Sequence, residues 1–158
     1  MKTVHWIVAA AAFVFAEPVQ AGINDPEVII YRFPGVRHET IQTGGSPQQI
    51  ISTIFLCTNF SGVTETIRFV TRRNDGALTT NLTTNIAHLA TVAVGTGANS
   101  AYTLQLDLLT GVVQGTTALA ATSTNIICTA MTIDPANTKP VGVALRGIRF
   151  SPVPGSQE

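Results

Sequence analysis

An antiparallel all-β sandwich of about seven to nine short strands is the fold that this sequence predicts. Three observations predict it. Most segments alternate apolar and polar residues with a period of two. Clusters of Gly, Pro, Asn and Asp recur between those segments. Beyond residue 21, no stretch carries the stripe of an amphipathic helix. The composition agrees: only 11% of residues are charged, and Thr, Ala, Val and Ile dominate. That is too apolar for a disordered chain and too poor in Lys, Glu and Leu for a helical bundle.

The strands follow in order. Glu27 to Phe33 alternates as a first strand, which Pro34-Gly35 is expected to end. Val36 to Gln49 reads as a polar connection containing Gly44-Gly45 and Pro47. Ile50 to Thr58 is the second strand, with Ile51, Thr53, Phe55 and Cys57 on the face turned inward. Asn59-Phe60-Ser61-Gly62 marks a turn. Thr64 to Arg72 gives the clearest alternation: Ile67 and Phe69 toward a core, Arg68 and Arg72 toward water. Arg73-Asn74-Asp75-Gly76 supplies hairpin chemistry, because Asn and Gly tolerate positive φ. Leu78 to Ile86 returns as a Thr/Asn-rich strand whose β-branched residues suit a solvated face. Leu89 to Val94, Ala101 to Leu109, Asn125 to Ile133 and Val141 to Phe150 complete the strands. Thr117 to Thr122 is consistent with a short strand or a helical turn.

Two cysteines, Cys57 and Cys128, lie on core-like strands. An even pair on such strands is expected to form a disulfide in an oxidising compartment, bridging the two sheets. With only His38 and His88 beyond the first strongly apolar segment, the chain offers too few ligands for a structural zinc site. No metal or cofactor is expected.

These residues resemble an immunoglobulin-like sandwich. Cys57 stands on the second strand and Cys128 on a late one, and Phe69 lies twelve residues after Cys57, where immunoglobulin domains often place a core Trp. The only Trp is Trp6, and position 126, two before Cys128, is Ile rather than Tyr. The resemblance implies an architecture and no activity.

Residues 1–21 read as a cleavable secretory signal peptide. Lys2 and His5 form a basic start, Trp6 to Ala16 an apolar run, and Val19-Gln20-Ala21 a small-residue cleavage site before Gly22. The run is too short to span a bilayer. Residues 22–158 are then expected to form a single secreted or periplasmic β-domain, without membrane contact once the signal is removed. Lys and Arg number nine, Asp and Glu nine, so the formal net charge is zero. No basic excess points to nucleic acid.

Chemistry-bearing motifs are sparse. No G-x-S-x-G elbow occurs, and His38 and His88 stand apart from Ser and Asp partners in sequence. Asp107 and Asp134 have no acidic companion. The sequence therefore predicts a non-enzymatic structural or binding module. Arg68, Arg72 and Arg73, with Arg37, are candidate contacts for a carboxylate, a phosphate or a sulfated sugar; the alternative is a solvated face that discourages edge pairing. Other readings are a surface-fibre or adhesin subunit that adds its Gly22–Phe33 segment to a neighbour as a strand, or a hydrolase or inhibitor with scattered site residues. Partners would be a protein, a glycan or a second copy. Asn59-Phe60-Ser61 and Asn81-Leu82-Thr83 match the N-glycosylation pattern.

Overall fold

The computed structural model describes residues 26–43, 46–108, 112–139 and 141–150. The expected signal segment 1–21 and the tail 151–158 lie outside these residues. Among the described residues there are eleven strands: β1 Val28–Val36, β2 His38–Thr43, β3 Ser46–Asn59, β4 Glu65–Arg73, β5 Leu78–Ile86, β6 Thr91–Gly95, β7 Leu106–Asp107, β8 Gly115–Ala121, β9 Ile126–Ile133, β10 Gly142–Leu145 and β11 Ile148–Arg149.

They build two packed sheets. The first runs β11-β1-β8-β4-β5 and is antiparallel throughout. The second runs β10-β9-β3-β6-β7, with β2 paired to the N-terminal part of β3. The β6–β7 contact is parallel, so this sheet is mixed. The period-two alternation becomes burial directly. Along β4, Glu65, Ile67, Phe69 and Thr71 are buried, while Thr66, Arg68, Val70 and Arg72 are turned outward. Along β8, Leu119 and Ala121 are buried and Ala118 and Ala120 lie on the outer side. One continuous apolar cluster joins the inner faces. At its centre Phe55 of the second sheet sits between Phe33 and Phe69 of the first, with ring centroids 5.6 and 5.8 Å away.

The cysteines are bonded, and the bond corrects the expected inter-sheet placement. Cys57 on β3 and Cys128 on β9 are direct cross-strand partners within the second sheet, with Cα atoms 4.1 Å apart. Opposite residues of an antiparallel pair point to the same face, and there they are close enough to bridge. A sequence separation of 71 fits a bridge across a sandwich and a bridge between neighbouring strands equally well. The immunoglobulin-like hallmark of a bond joining the two sheets is therefore absent.

Other expectations shift locally. Pro34-Gly35 does not end β1; Gly35 takes φ +80° in a bulge, and the strand continues to Val36. The polar connection Val36–Gln49 instead contains β2 and the start of β3. Among the described residues of the strand expected at Ala101–Leu109, only Leu106–Asp107 pairs. Asn99 Oδ1 accepts the backbone N–H groups of Ala101 and Tyr102, curling the chain. Leu104 then lies on Gly95, where an added Cβ would stand 2.7 Å from its side chain and 3.1 Å from that of Ile54. Tyr102 reaches Met131. The segment thus covers part of the outer face of the second sheet, and Ile54 is buried there. Val141–Phe150 is also two strands, because the chain crosses from β10 in one sheet to β11 in the other at Arg146-Gly147. A Cβ on Gly147 would meet the Phe33 ring at 2.5 Å.

Candidate functional site

The predicted arginines occupy two places. Arg68 and Arg72 share the outer face of β4 and are four residues apart, roughly 13 Å along a strand. Arg68 donates through Nε and a terminal nitrogen to both carboxylate oxygens of Glu27, at 2.6 and 2.9 Å. That fork ties the start of β1 to β4 across β8. The hydrogen bond to Glu27, then its charge, holds the Arg68 guanidinium above its ordinary value. Arg72 donates to the Gly76 carbonyl at 2.9 Å, and Arg73 pairs with Asp75 at 3.2 Å. Arg37 pairs with Glu39 at 3.2 Å and donates to the Val113 carbonyl. Asn74 donates its backbone N–H to the carbonyl of Gln114, next to Val113. Arg37, Arg72 and Arg73 therefore gather at one end of the sandwich, while Arg68 stands apart, neutralised by Glu27.

The Asp75 carboxylate at this end is held below its ordinary value of 3.8, first by the Ala77 backbone N–H that it accepts, with Arg73 adding attraction and desolvation opposing both. Because the folded value is depressed, the turn's contribution is fully present above the unfolded-state range and is lost as pH falls through the folded value. A carbon-detected NMR titration is expected to place the Asp75 midpoint below that of the Asp75-containing peptide; equal midpoints would remove the effect.

The histidines are tied into the scaffold. His38 Nδ1 contacts the Thr96 carbonyl, and the His38 backbone N–H donates to Val112 O. Around it, the Thr96 hydroxyl donates to Arg37 O and accepts the Thr53 N–H, while Ser52 lies buried against Thr96 and Gly97. This polar node anchors the crossing from β1 to β2. At the opposite end His88 Nδ1 accepts the Gly62 N–H. Asn59 is fully buried, and its side-chain amide donates to Val63 O and Ile86 O. Of the two glycosylation patterns, the folded chain therefore presents only Asn81 to solvent. Among the described residues no group of three or more His, Cys, Asp or Glu is placed to hold a metal ion.

Two features escaped the sequence reading. Glu65 is fully buried; its Oε2 accepts the Thr122 hydroxyl, and its Oε1 has no hydrogen-bond partner among the described residues. A carboxyl buried with one donor and no cation is an expensive group to carry. Glu65→Gln keeps an acceptor for Thr122 and is expected to raise stability by on the order of 1 kcal/mol in urea unfolding; a loss would show that the carboxyl has a partner of its own. Nothing in the local sequence marks Glu65 as buried except its parity with Ile67 and Phe69.

The second feature is β5. Its residues spell a four-residue repeat, Leu78-Thr-Thr-Asn and Leu82-Thr-Thr-Asn, followed by Ile86. An even period keeps equivalent residues on one face of a strand. Thr80, Leu82, Thr84 and Ile86 form the inner row opposite β4, and Asn81, Thr83 and Asn85 the outer row. Beside that outer row lie Thr66, Arg68, Val70 and Arg72 of β4, then Ala118 and Ala120 of β8, which makes a Thr/Asn/Ala surface studded with arginine. The repeat was visible in the sequence; that it forms a sheet edge was not.

A disulfide in an all-β chain with no membrane-spanning helix among its described residues is compatible with an extracellular or periplasmic location. No family model, curated protein or solved structure matches the chain.

Proposed function

We propose that this chain is an exported, non-enzymatic β-sandwich module that acts through the outer face and the free edge of its first sheet. The observation that carries the reading is β5: nine residues without a charge, Pro or Gly, paired among the described residues only with β4, beside a Thr/Asn/Ala face. Support also comes from the polar groups a catalyst would use, since His38, His88, Ser52 and Asn59 are all engaged in holding loops and strands in place. The arginine end at Arg37, Arg72 and Arg73 is the surface offered to an anionic or sulfated-sugar partner. The test combines ester, glycoside and peptide hydrolysis panels with an array of neutral and sulfated glycans. No turnover is expected, and any sulfated-glycan binding should fall in Arg72→Ala and Arg73→Ala. Turnover abolished by one polar substitution would overturn the proposal.

Assembly by strand addition is the second reading, and β5 favours it. The expected donor segment is less suited to that role, because Val28–Val36 is already paired with β8 on one side and, at Tyr31 and Arg32, with β11 on the other. The edge that can accept a strand is β5.

A further inference from the structure

We propose that β5 is a self-recognition edge: two copies of this chain pair antiparallel along it, about a two-fold axis at Leu82, and join their first sheets into one. The inference rests on the strand-addition reading and names its partner.

The edges of the two sheets are unequal. β7 and β11 have two residues each, β10 has four, and β2, which carries Glu39 and pairs only with β3 among the described residues, has six, whereas β5 has nine. Short ends are blunted as templates, and a long, uncharged one is an open invitation to pair. What it invites follows from the side chains. In an antiparallel pair, directly opposed residues share a face, so an axis through a residue keeps the inner rows together and the outer rows together. With the axis at Leu82, Leu82 meets its own copy, Thr80 meets Thr84 and Asn81 meets Thr83, each twice. Apolar meets apolar and amide meets hydroxyl, and the Thr80 hydroxyl, which donates to Leu108 O, keeps its lone pairs to accept from Thr84.

Exposure points to the same centre. Within the inner row Thr80 is 7% exposed and Ile86 is fully buried, yet Leu82 between them is 38% exposed. Leu82 is opposite Phe69 of the core on one side and has no cross-strand neighbour on the other among the described residues. A second Leu82 would cover it. The bulge at Thr79 limits regular pairing at the N-terminal end, so the Thr80–Thr84 stretch carries the register. No charge faces the Thr80–Thr84 stretch: β5 has none, Arg68 on the next strand is held by Glu27, and Arg72 lies opposite Leu78, beyond the bulge, with its guanidinium on Gly76 O. A two-fold pairing of this kind uses the same patch on both copies and closes on itself.

Sedimentation velocity on the purified, oxidised chain over a wide concentration range tests this, with near-ultraviolet circular dichroism as the folding control. A reversible monomer–dimer equilibrium is expected. Leu82→Lys and Leu82→Glu should each be monomeric, and an equimolar mixture of the two should regain the dimer. An unaltered chain that stays monomeric throughout, or a dimer that persists in Leu82→Lys, would overturn the inference. If the variants fail to fold, hydrogen exchange of the unaltered chain decides: β5 amides gaining protection with concentration support self-pairing, and unchanged protection overturns it. A monomer whose β5 instead pairs with an extended peptide of another sequence would end self-pairing and leave strand addition standing. A β5 that pairs with neither would end both.

Discussion

Replacing both Cys57 and Cys128 by alanine is expected to lower stability by about 4 kcal/mol. The bridge spans a sequence separation of 71, and a cross-link of that length removes much of the freedom of the unfolded chain. The native cost is smaller. β3 and β9 are paired over eight residues, from Ser52 to Asn59, so neither strand depends on the bond for its register. Both cysteines are buried, and alanine leaves only the volume of two sulfurs. For a chain of this size the midpoint should fall by roughly 10 °C or more. Calorimetry of the double variant, and of the unaltered chain with and without reductant, checks this. Equal midpoints would show that the unfolded chain is already compact enough for the bond to add nothing.

Phe55→Ala is expected to cost about 4 kcal/mol. Phe55 is fully buried and is the second sheet's member of the aromatic stack, with Phe33 on one side and Phe69 on the other. Its removal empties the middle of the sandwich, and the sheets cannot close the gap without breaking contacts on either side. Phe55→Leu should cost much less, because it refills most of the volume. Combining Phe55→Ala with Phe69→Ala should fall short of the summed losses, since each leaves the other's contact already broken. Urea unfolding with unchanged m-values would confirm that the native packing is the cause.

The elements that the sequence revealed are those whose burial alternates cleanly. Ile67 and Phe69 against Arg68 and Arg72 mark β4, and Leu78–Ile86 is bounded in the structure as it is in the sequence. Elements held by partners rather than by their own pattern were hidden. β2 is built from His38, Glu39, Thr40, Ile41, Gln42 and Thr43, a run with almost no apolar signal, and it forms because β3 supplies a ladder beside it. Tyr102, Leu104, Leu106 and Leu108 alternate like one strand, but only Leu106 lies in β7 and packs with Leu108 against the core, while Leu104 and Tyr102 are set down on the second sheet beside Gly95 and Met131. There the Gln105 side chain accepts the Ala93 N–H, in place of a backbone carbonyl. Pairing is non-local, so the sequence showed that Cys57 and Cys128 would bond without showing that β3 and β9 are neighbours. The arginines were legible as residues; that Glu27 withdraws Arg68 from the group was not, because the two are 41 positions apart.

The order of strands in the sheets also governs when the chain can fold. Among the described residues β1 finds its partners only in β8 and β11, and β3 needs β9 on its far side. β8 and β9 both lie in the last third of the chain, between Gly115 and Ile133. A chain delivered N-terminus first, from a ribosome or through a channel, can form the β2–β3, β4–β5 and β3–β6 pairs early. It must hold β1 without a ladder until residue 115 has emerged. Long-range closure of this kind is slow compared with local pairing. Such a chain therefore gains the central pairings of both sheets late, within one short stretch, and β10 and β11 close the edges after it.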